Sequence, residues 1–287
     1  MLQLIVNPVA GNGLAKQIGE EAAKRLSEKG IPFQLHLTDH PGHATELARQ
    51  AAAEGHETVI AFGGDGTVTE TATGLRGTKT ALGIVPSGTG NDFIKTVGIP
   101  KHWDEALDFI LSHPARPVDS GLVNDRFFMN VCGTGFDVMV LDLAESAKKK
   151  VRGIWPYLYG VLRAITAFKP FEMHVEIDGK PMDGKYMICS IGNGRYIGGG
   201  IPITPLADVT DGVFDVLVVD AVPRWKIPFY LPSIMMGTLY KRRPAHRYLA
   251  SSVSLSSPGM RLNMDGEILP MESARFVCET DQLLLHW

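Results

Sequence analysis

Short apolar runs alternate with longer amphipathic stretches in about the first hundred residues. Runs rich in aliphatic and β-branched residues predict strands at residues 2–6, 33–37, 58–62 and 81–85. Residues 14–29 and 45–54 carry apolar side chains at helical spacing, and the glycines Gly30 and Gly55 favour helix ends there. Strands alternating with such helices predict βαβ units, a parallel sheet and right-handed crossovers.

The pattern changes near residues 114–122. Residues 118–123 and 126–131 flank Asn124-Asp125, and residues 174–177 and 186–191 flank Asp178-Gly179, so both pairs predict hairpins. Further strands are predicted at 214–219, 253–255, 261–264, 275–279 and 283–286, and helices at 103–112, 138–149 and 155–168. We therefore predict a Rossmann-like α/β domain at 1–120 and a mostly antiparallel β domain at 121–287, whose last residues pack back on the first.

Composition narrows the class of protein. A chain of 287 residues suits two domains, and a formal net charge of −3 gives no case for nucleic-acid binding. Three cysteines far apart in the sequence form neither a disulfide framework nor a metal motif, which fits a reducing cytosol. The N-terminus lacks the pattern of a secretory signal, and no run reaches the roughly 18 apolar residues of a spanning helix. We expect a cytoplasmic protein that at most lies on a membrane.

Two glycine-rich loops carry the strongest chemical signal. Residues 63–67 (Gly-Gly-Asp-Gly-Thr) and 88–92 (Gly-Thr-Gly-Asn-Asp) each follow a predicted strand. Glycines let the backbone approach a ligand, and a helix N-terminus beyond them presents unpaired N–H groups that suit phosphate. The pair indicates a kinase. Asp65 could hold Mg²⁺ or orient a substrate hydroxyl; alternatively, it is a helix cap.

Three other segments have two interpretations each. Residues 7–11 (Asn-Pro-Val-Ala-Gly) follow the first strand, where a doubly wound sheet binds phosphate, but tight turns favour the same residues. Asp208, Asp211 and the Val213 carbonyl have a spacing that can wrap a hard cation, or they form a solvated turn. Asp265-Gly266 alone favours a hairpin turn.

Together, residues 7–11, 63–67, 88–93 and 265–267 resemble the diacylglycerol kinase catalytic-domain family, which includes sphingosine kinases. Their order is most similar to that of stand-alone bacterial lipid kinases, over residues 1 to about 280. The Gly-Gly-Asp-Gly motif alone is also similar to NAD kinases and phosphofructokinases. The combination with Gly-Thr-Gly-Asn-Asp-Phe and Asp-Gly-Glu is specific.

The resemblance implies an ATP-dependent lipid kinase that has a nucleotide domain of the NAD kinase and diacylglycerol kinase type and a C-terminal β-sandwich. The residues implied to contact the nucleotide are Asn7, Pro8, Val9, Ala10, Gly11, Thr38, Gly63, Gly64, Asp65, Gly66, Thr67, Val68, Thr69, Glu70 and Thr89. The family often has Asn where this chain has Thr69. The hydroxyl of a threonine can replace one hydrogen bond of an asparagine side-chain amide, but not both.

The resemblance also implies catalytic roles. Glu267 is implied as the base that accepts the proton of the lipid hydroxyl, with Asp265 as its electrostatic partner, although Asp265 could be the base instead. Asp65 joins them as a catalytic residue. Mg²⁺ is implied twice, with ATP and as a structural ion at Asp208, Asp211 and Val213. Diacylglycerol is the first candidate substrate. The alternatives are an NAD kinase-like enzyme and a catalytically silent regulator that binds nucleotide or lipid.

The expected partners are a lipid alcohol and, peripherally and transiently, a membrane surface; a homodimer is compatible with the sequence. Basic residues in 148–152 and 241–243 adjoin the apolar segments 154–168 and 227–240. This pattern suits anionic lipid, or a solvated helix end beside a core helix. The histidines His36, His40 and His43 fit no common zinc site.

Overall fold

The computed structural model describes residues 1–88, 90–148 and 155–287 of the protein, without side-chain surroundings for 144–148 and 155–158. These residues form two compact units. Unit 1 contains residues 1–120, 209–212 and 279–287, and unit 2 contains residues 121–208 and 213–278. Neither unit is therefore made from a single stretch of the chain.

The elements of residues 1–123 follow the predicted alternation. Their bounds are β1 Leu2–Val6, α1 Leu14–Glu28, β2 Phe33–Leu37, α2 His43–Ala53, β3 Thr58–Gly63, α3 Asp65–Leu75, β4 Ala81–Pro86, α4 Asp92–Val97, α5 Trp103–Ser112 and β5 Ala115–Val123. β3 and β4 are buried along their whole length. Strands covered on both faces read as continuous apolar runs, which is why the sequence predicts them well.

The sheet of unit 1 is parallel, in the order β4-β3-β1-β2. Val6 pairs with both Leu37 and Phe62, so the carboxyl ends of β1, β2 and β3 lie at one edge of the sheet. Beyond β4 lies the end of the last strand of the chain, where Leu284 pairs with Ala81. The loops after β1 to β4 are thereby gathered at the same edge.

The described part of unit 2 contains most of the remaining strands and three α-helices. Their bounds are β6 Arg126–Phe128, β7 Val131–Gly135, α6 Phe136–Lys148, α7 Trp155–Ala167, β8 Phe171–Ile177, β9 Lys180–Gly192, β10 Tyr196–Ile197, β11 Ile201–Pro202, β12 Phe214–Asp220, α8 Ile227–Met235, β13 Ala245–Ala250, β14 Ser252–Ser256, β15 Arg261–Met264, β16 Glu267–Pro270 and β17 Ser273–His286. The pairings described within this unit are antiparallel, and the predicted fold class is confirmed.

The long strand β9 joins two layers of strands. Its first half pairs with β8, which continues through β14 to β17, whereas its second half pairs with β7 and β12. Side chains from both layers, such as Val175, Phe276, Ile191 and Val216, form one buried core between them. This arrangement is the packing of a β-sandwich.

A second core covers the other face of the β7-β9-β12 layer. Ile188 and Leu217 point into this core, and they alternate along their strands with residues of the first core. Phe136, Ala164 and Ile227 pack against them from α6, α7 and α8. Strands β9 and β12 therefore lie between strands on one side and helices on the other.

Several predicted elements differ from the structure. β17 is one continuous strand of 14 residues, where two strands were predicted. The predicted strand 126–131 is divided into β6 and β7. α8 was not predicted, and it contains two prolines: Pro228 lies in its first turn, where its missing N–H costs no hydrogen bond, and Pro232 lies inside the helix. Every helix among the described residues is too short or too polar to span a bilayer.

Two glycines of α3 give a matched test of packing. A Cβ at Gly74 would lie 2.5 Å from the Thr45 carbonyl oxygen and 2.7 Å from Ala48 Cβ, both on α2, whereas a Cβ at Gly66 would meet nothing within 4 Å. We expect Gly74→Ala to lower the free energy of unfolding by about 1–3 kcal/mol through overpacking. Gly66→Ala should leave it unchanged or raise it by up to about 1 kcal/mol, since alanine favours helix. Urea unfolding measures both, and equal effects would contradict the close packing of α2 on α3.

Candidate active site

The edge of the sheet in unit 1 contains a topological switch point. The chain leaves β1 to form β2 on one side and then crosses to form β3 on the other side of β1. In open α/β sheets, ligands bind at the carboxyl ends of the strands where the order reverses. The loops that follow β1 and β3 lie at this point.

Asn7 joins these two loops. Its backbone N–H donates to the Phe62 carbonyl oxygen at 3.0 Å, and its side-chain Nδ2 donates to the Thr67 hydroxyl at 3.1 Å. Its Oδ1 accepts a hydrogen bond from the N–H of Val9 at 3.2 Å. The first motif is therefore a tight turn that is attached to the start of α3.

Asp65 connects the second and third loops. Its two carboxylate oxygens accept hydrogen bonds from the backbone N–H groups of Asn91 and Asp92, at 2.9 and 3.0 Å. Asp65 is the first residue of α3, and the N–H groups belong to the start of α4. The carboxylate thus binds N–H groups at the start of the following helix, as a helix cap does, although it belongs to α3.

Glycine residues, which have no side chain, permit the close approach of these loops. A Cβ at Gly88 would lie 2.5 Å from the Gly64 Cα, and a Cβ at Gly90 would collide with the Asp65 carboxylate. Gly11 has a φ of +59°, and a Cβ there would collide with the Ser87 carbonyl oxygen. The backbone contacts between the three loops therefore require glycine at these positions.

The negative charges of Asp65 and Asp92 are partly balanced by a nearby lysine. Burial raises the pKa of the Asp65 carboxyl, and the nearby carboxylate of Asp92 raises it further. Lys95 lies close, since its Nζ is 2.7 Å from Asp92 Oδ1 and donates to the Gly90 carbonyl oxygen at 3.2 Å. The sequence analysis missed Lys95, although its position three residues after Asp92 in a helix is a typical signal for an ion pair.

The other residues expected near the nucleotide lie around these loops. Thr38 follows β2, and its N–H donates to the Val6 carbonyl oxygen at 2.9 Å. Val68, Thr69 and Glu70 are in α3, where the Glu70 carbonyl oxygen accepts a bond from the Thr45 hydroxyl. Thr89 lies outside the described residues. Of the remaining residues, Pro8 and Ala10 follow β1, and Gly63 is the last residue of β3.

In unit 2, Asp265 occupies the turn of the β15–β16 hairpin. Asp265 and Gly266 form its two-residue loop with φ values of +49° and +101°, as a type I′ turn requires. The Asp265 carboxylate accepts three backbone hydrogen bonds, from Met129 at 2.8 Å, Asn130 at 2.9 Å and Val131 at 3.2 Å. The hairpin tip is thereby fixed to the segment that leads into β7.

Glu267 has a different environment. It begins β16 opposite Met264, and its side chain is exposed. Of the two carboxylates implied by the resemblance, that of Asp265 is therefore held by backbone N–H groups, whereas that of Glu267 is open to solvent.

Asp208, Asp211 and Val213 lie in the loop between β11 and β12, and both carboxylates are exposed. The buried Asp119 supports this loop: its N–H donates to the Val209 carbonyl oxygen at 2.6 Å, and its carboxylate accepts from the Gly212 N–H at 2.7 Å. The sequence analysis did not identify Asp119. Its partner is about 90 residues away in the sequence, and no local pattern predicts such a contact.

The histidines do not form one group. His36 bonds Gln3 at 2.9 Å, while Asp39, His40 and His43 place their potential ligand atoms within 4.8 Å of one another. The shortest of these distances is 2.7 Å, between Asp39 Oδ1 and His43 Nδ1, and the His40 and His43 rings are stacked. The spacing in the sequence gave no reason to expect this cluster.

Two protein families together match nearly the whole chain. The diacylglycerol kinase catalytic domain family matches residues 1–123, and the family described as the YegS C-terminal NAD kinase beta sandwich-like domain matches residues 130–286. The chain is 29% identical over 280 residues to a diacylglycerol kinase from Bacillus subtilis, covering 96% of this chain and 92% of the relative. It is 32% identical over 263 residues to a Pseudomonas putida protein named "Probable lipid kinase YegS-like", covering 91% and 87%.

Solved structures show the same fold. A diacylglycerol kinase from Bacillus anthracis matches with a TM-score of 0.77 at 24% identity, covering 100% of this chain and 96% of that chain. A second structure from the same organism matches with a TM-score of 0.81 at 27% identity, covering 100% and 97%.

The two carboxylates of the hairpin predict different effects on stability. Asparagine tolerates positive φ as aspartate does, so Asp265→Asn should keep the turn. However, the amide NH₂ group would replace one carboxylate oxygen, and it would face a backbone N–H that then lacks an acceptor. We expect a loss of about 1–3 kcal/mol in the free energy of unfolding. Glu267→Gln should leave this free energy unchanged, because Glu267 is exposed. Urea unfolding of both variants measures the difference, and a stable Asp265→Asn variant would contradict the anchoring role.

Proposed function

Because the chain belongs to the lipid kinase family that joins a diacylglycerol kinase catalytic domain to a YegS-type C-terminal domain, we propose that it transfers the γ-phosphate of ATP to the hydroxyl group of a lipid. Diacylglycerol is the first candidate, since a relative of similar length is named diacylglycerol kinase. The observation that carries this proposal is the start of α3, which lies between glycine loops that Asp65 holds together.

The phosphates of ATP fit the chemistry of this helix start. The first N–H groups of a helix lack intrahelical partners, and the helix dipole favours an anion at this end. In the described part of the chain, no side chain caps α3. The neighbouring glycines leave its N–H groups accessible, and Asn7, Thr38 and Thr67 supply polar groups nearby. Thr69, Glu70 and the undescribed Thr89 complete the proposed nucleotide contacts.

Glu267 is the proposed general base. The lipid oxygen forms a bond to the γ-phosphorus, the bond from that phosphorus to the β–γ bridging oxygen breaks, and the lipid proton moves to the Glu267 carboxylate. Asp265 is less suited to this step, since three backbone N–H groups already occupy its oxygens. We propose that Asp265 holds the hairpin in position and adds negative charge beside Glu267.

Mg²⁺ has two proposed roles. Bound with ATP, it would neutralise charge on the phosphates, and Asp65 is the acidic residue of unit 1 proposed to support it. The second is a structural ion on the loop that Asp119 supports. Asp208, Asp211 and the Val213 carbonyl oxygen are hard oxygen donors, and this donor set fits Mg²⁺.

The 224–243 segment is the proposed membrane contact. It contains Arg224, Lys226, Lys241, Arg242 and Arg243 and no acidic residue, although the whole chain carries a net charge of −3. Its aromatic residues Trp225 and Phe229 are 67% and 72% exposed, and Lys226 Nζ lies 5.2 Å from the Trp225 ring centroid. Exposed aromatic rings beside basic residues suit the interface of an anionic bilayer. The other predicted basic run, 148–152, lies outside the residues whose side chains are described.

The base assignment predicts a large kinetic effect without unfolding. Glu267→Gln should lower kcat by about 10²- to 10⁴-fold, the usual contribution of a general base. The assay follows labelled phosphate from ATP into dioctanoylglycerol, with the unfolding curve as a control for folding. If Glu267→Gln kept wild-type turnover and a stably folded Asp265→Asn variant lost it, Asp265 would be the base.

The same assay separates the alternative functions. Labelled phosphate on a total lipid extract supports a lipid kinase and identifies the lipid, whereas label on NAD would support an NAD kinase-like enzyme. ATP binding without transfer to any lipid of the extract would favour a catalytically silent regulator.

Membrane contact predicts a selective loss of binding. The double variant Trp225→Ala/Phe229→Ala should bind vesicles of phosphatidylglycerol at least about tenfold more weakly, because each large apolar side chain contributes roughly 1.5–3 kcal/mol when buried. Leu249→Ala, at another exposed apolar position of unit 2, is the control. Vesicle co-sedimentation measures both. Equal binding by the double variant and wild type, or equal wild-type binding to neutral phosphatidylcholine, would contradict this contact surface.

A further inference from the structure

A tight turn between β2 and α2 brings two histidines together. Pro41 and Gly42 are its central residues, and the φ of Gly42 is +86°, as the third residue of a type II turn requires. The turn is closed by a hydrogen bond from the His43 N–H to the His40 carbonyl oxygen at 3.2 Å. The two imidazole rings are stacked, with centroids 4.7 Å apart. Residues 40–43 therefore present two ring nitrogens on one side of the loop.

Asp39 adds a carboxylate oxygen to these two nitrogens. Its Oδ1 lies 2.7 Å from His43 Nδ1 and 3.3 Å from His40 Nε2, and the three atoms all lie within 4.8 Å of one another. In a tetrahedral zinc site, nitrogen and oxygen ligands lie about 2.0–2.2 Å from the metal, which places neighbouring ligand atoms roughly 3.3 Å apart. The three residues thus approach the dimensions of a metal site.

The hydrogen bond of the His40 side chain leaves the right nitrogen unprotonated. His40 Nδ1 lies 3.0 Å from the Pro41 carbonyl oxygen, and because a carbonyl oxygen only accepts, this nitrogen carries the proton. In the neutral ring, the lone pair is then on Nε2, which is the atom near Asp39. Histidines that bind metals usually donate their other ring N–H to a carbonyl or carboxylate oxygen in this way.

His43 Nδ1 is in contact with two groups that make opposite demands. The backbone N–H of Asp39 donates to it at 3.2 Å, which requires an unprotonated nitrogen. Asp39 Oδ1 lies 2.7 Å from the same nitrogen, and two lone pairs repel each other at this distance. A positive centre beside both atoms removes the repulsion. A proton would join only these two atoms, whereas a metal ion also binds His40 Nε2.

Charge and exposure also suit a cation. Glu46, in the first turn of α2, places Oε2 3.9 Å from His40 Nε2, so a second carboxylate lies beside the ring. The side chain of His43 is 22% exposed and that of Asp39 is 73% exposed. One ligand is therefore held by the fold, while the other side of the site is open to solvent and can take up an ion and a water molecule.

We propose that Asp39, His40 and His43 bind one Zn²⁺ ion, with water in the fourth position. Imidazole nitrogen suits Zn²⁺, whereas Mg²⁺ prefers oxygen ligands, so this site differs in chemistry from the two Mg²⁺ sites proposed above. The ion would join the loop that follows Thr38 to the start of α2. The inference does not rest on the proposed kinase function, since none of the three residues is assigned to ATP or lipid.

Zinc binding is measured without ATP or lipid. Calorimetric titration of the metal-free full chain with ZnCl₂, near pH 7.5 and with Mg²⁺ present throughout, should show one tightly bound ion per chain. Asp39→Asn and His40→Ala should each weaken binding by at least about tenfold, since even the loss of a ligand's hydrogen-bonding partner usually costs roughly 10- to 100-fold. Both residues are exposed, so both variants should remain folded.

The control is His102→Ala, which removes another exposed histidine of unit 1 and should bind Zn²⁺ like wild type. Three results would overturn the proposal. They are the lack of saturable binding by wild type, wild-type affinity in Asp39→Asn or His40→Ala, and an equal loss of affinity in His102→Ala.

Hydrogen exchange locates the ion. Zn²⁺ should slow amide exchange in peptides that cover residues 38–47, because it joins the loop to the start of the helix. His40→Ala should lose this protection at the same Zn²⁺ concentration. Protection by Zn²⁺ that is confined to other parts of the chain would show that the ion binds elsewhere, and it would contradict the assignment of these ligands.

Discussion

The hydrogen bonds from Asn91 and Asp92 to Asp65 are the constraint on which the site in unit 1 depends. Glycine-rich loops have high conformational freedom, and one that is left unattached has no fixed direction for its N–H groups. Here a single carboxylate fixes the start of α4 to the start of α3. The glycines on both sides then allow backbone to approach backbone, which no larger residue would permit. The flexibility that allows close approach is thus limited by one charged anchor.

The same device recurs at other points of the protein. Asp265 binds three backbone N–H groups that precede β7, and Asp119 binds the Gly212 N–H of a loop far along the chain. Hydrogen bonds to charged acceptors are stronger than neutral ones, so each carboxylate holds its loop firmly in place. Acidic residues that look catalytic in the sequence therefore also act as anchors. Glu267 differs from them because it is exposed.

The sequence predicts those features whose cause is local. β3 and β4 are continuous apolar runs, and Asp265-Gly266 has the residues that a two-residue hairpin loop needs. The anchoring role of Asp65 depends on a partner 26 residues away, and that of Asp119 depends on a partner 93 residues away. β13 was missed because its exposed polar residues hide the alternation of a strand. Local pattern thus predicts elements, whereas the direction of each carboxylate follows from tertiary structure.

Unit 1 is formed by three separate stretches of the chain, and this affects when its sheet can be completed during synthesis. β4 has β3 on one side, and on the other side it has the last residues, where Leu284 pairs with Ala81. Until those residues emerge from the ribosome, β4 is an unprotected apolar edge that can recruit other chains. A gene fragment that ends near residue 120 would make this condition permanent. Completion of the sheet of unit 1 therefore waits until residues 279–287 have been made.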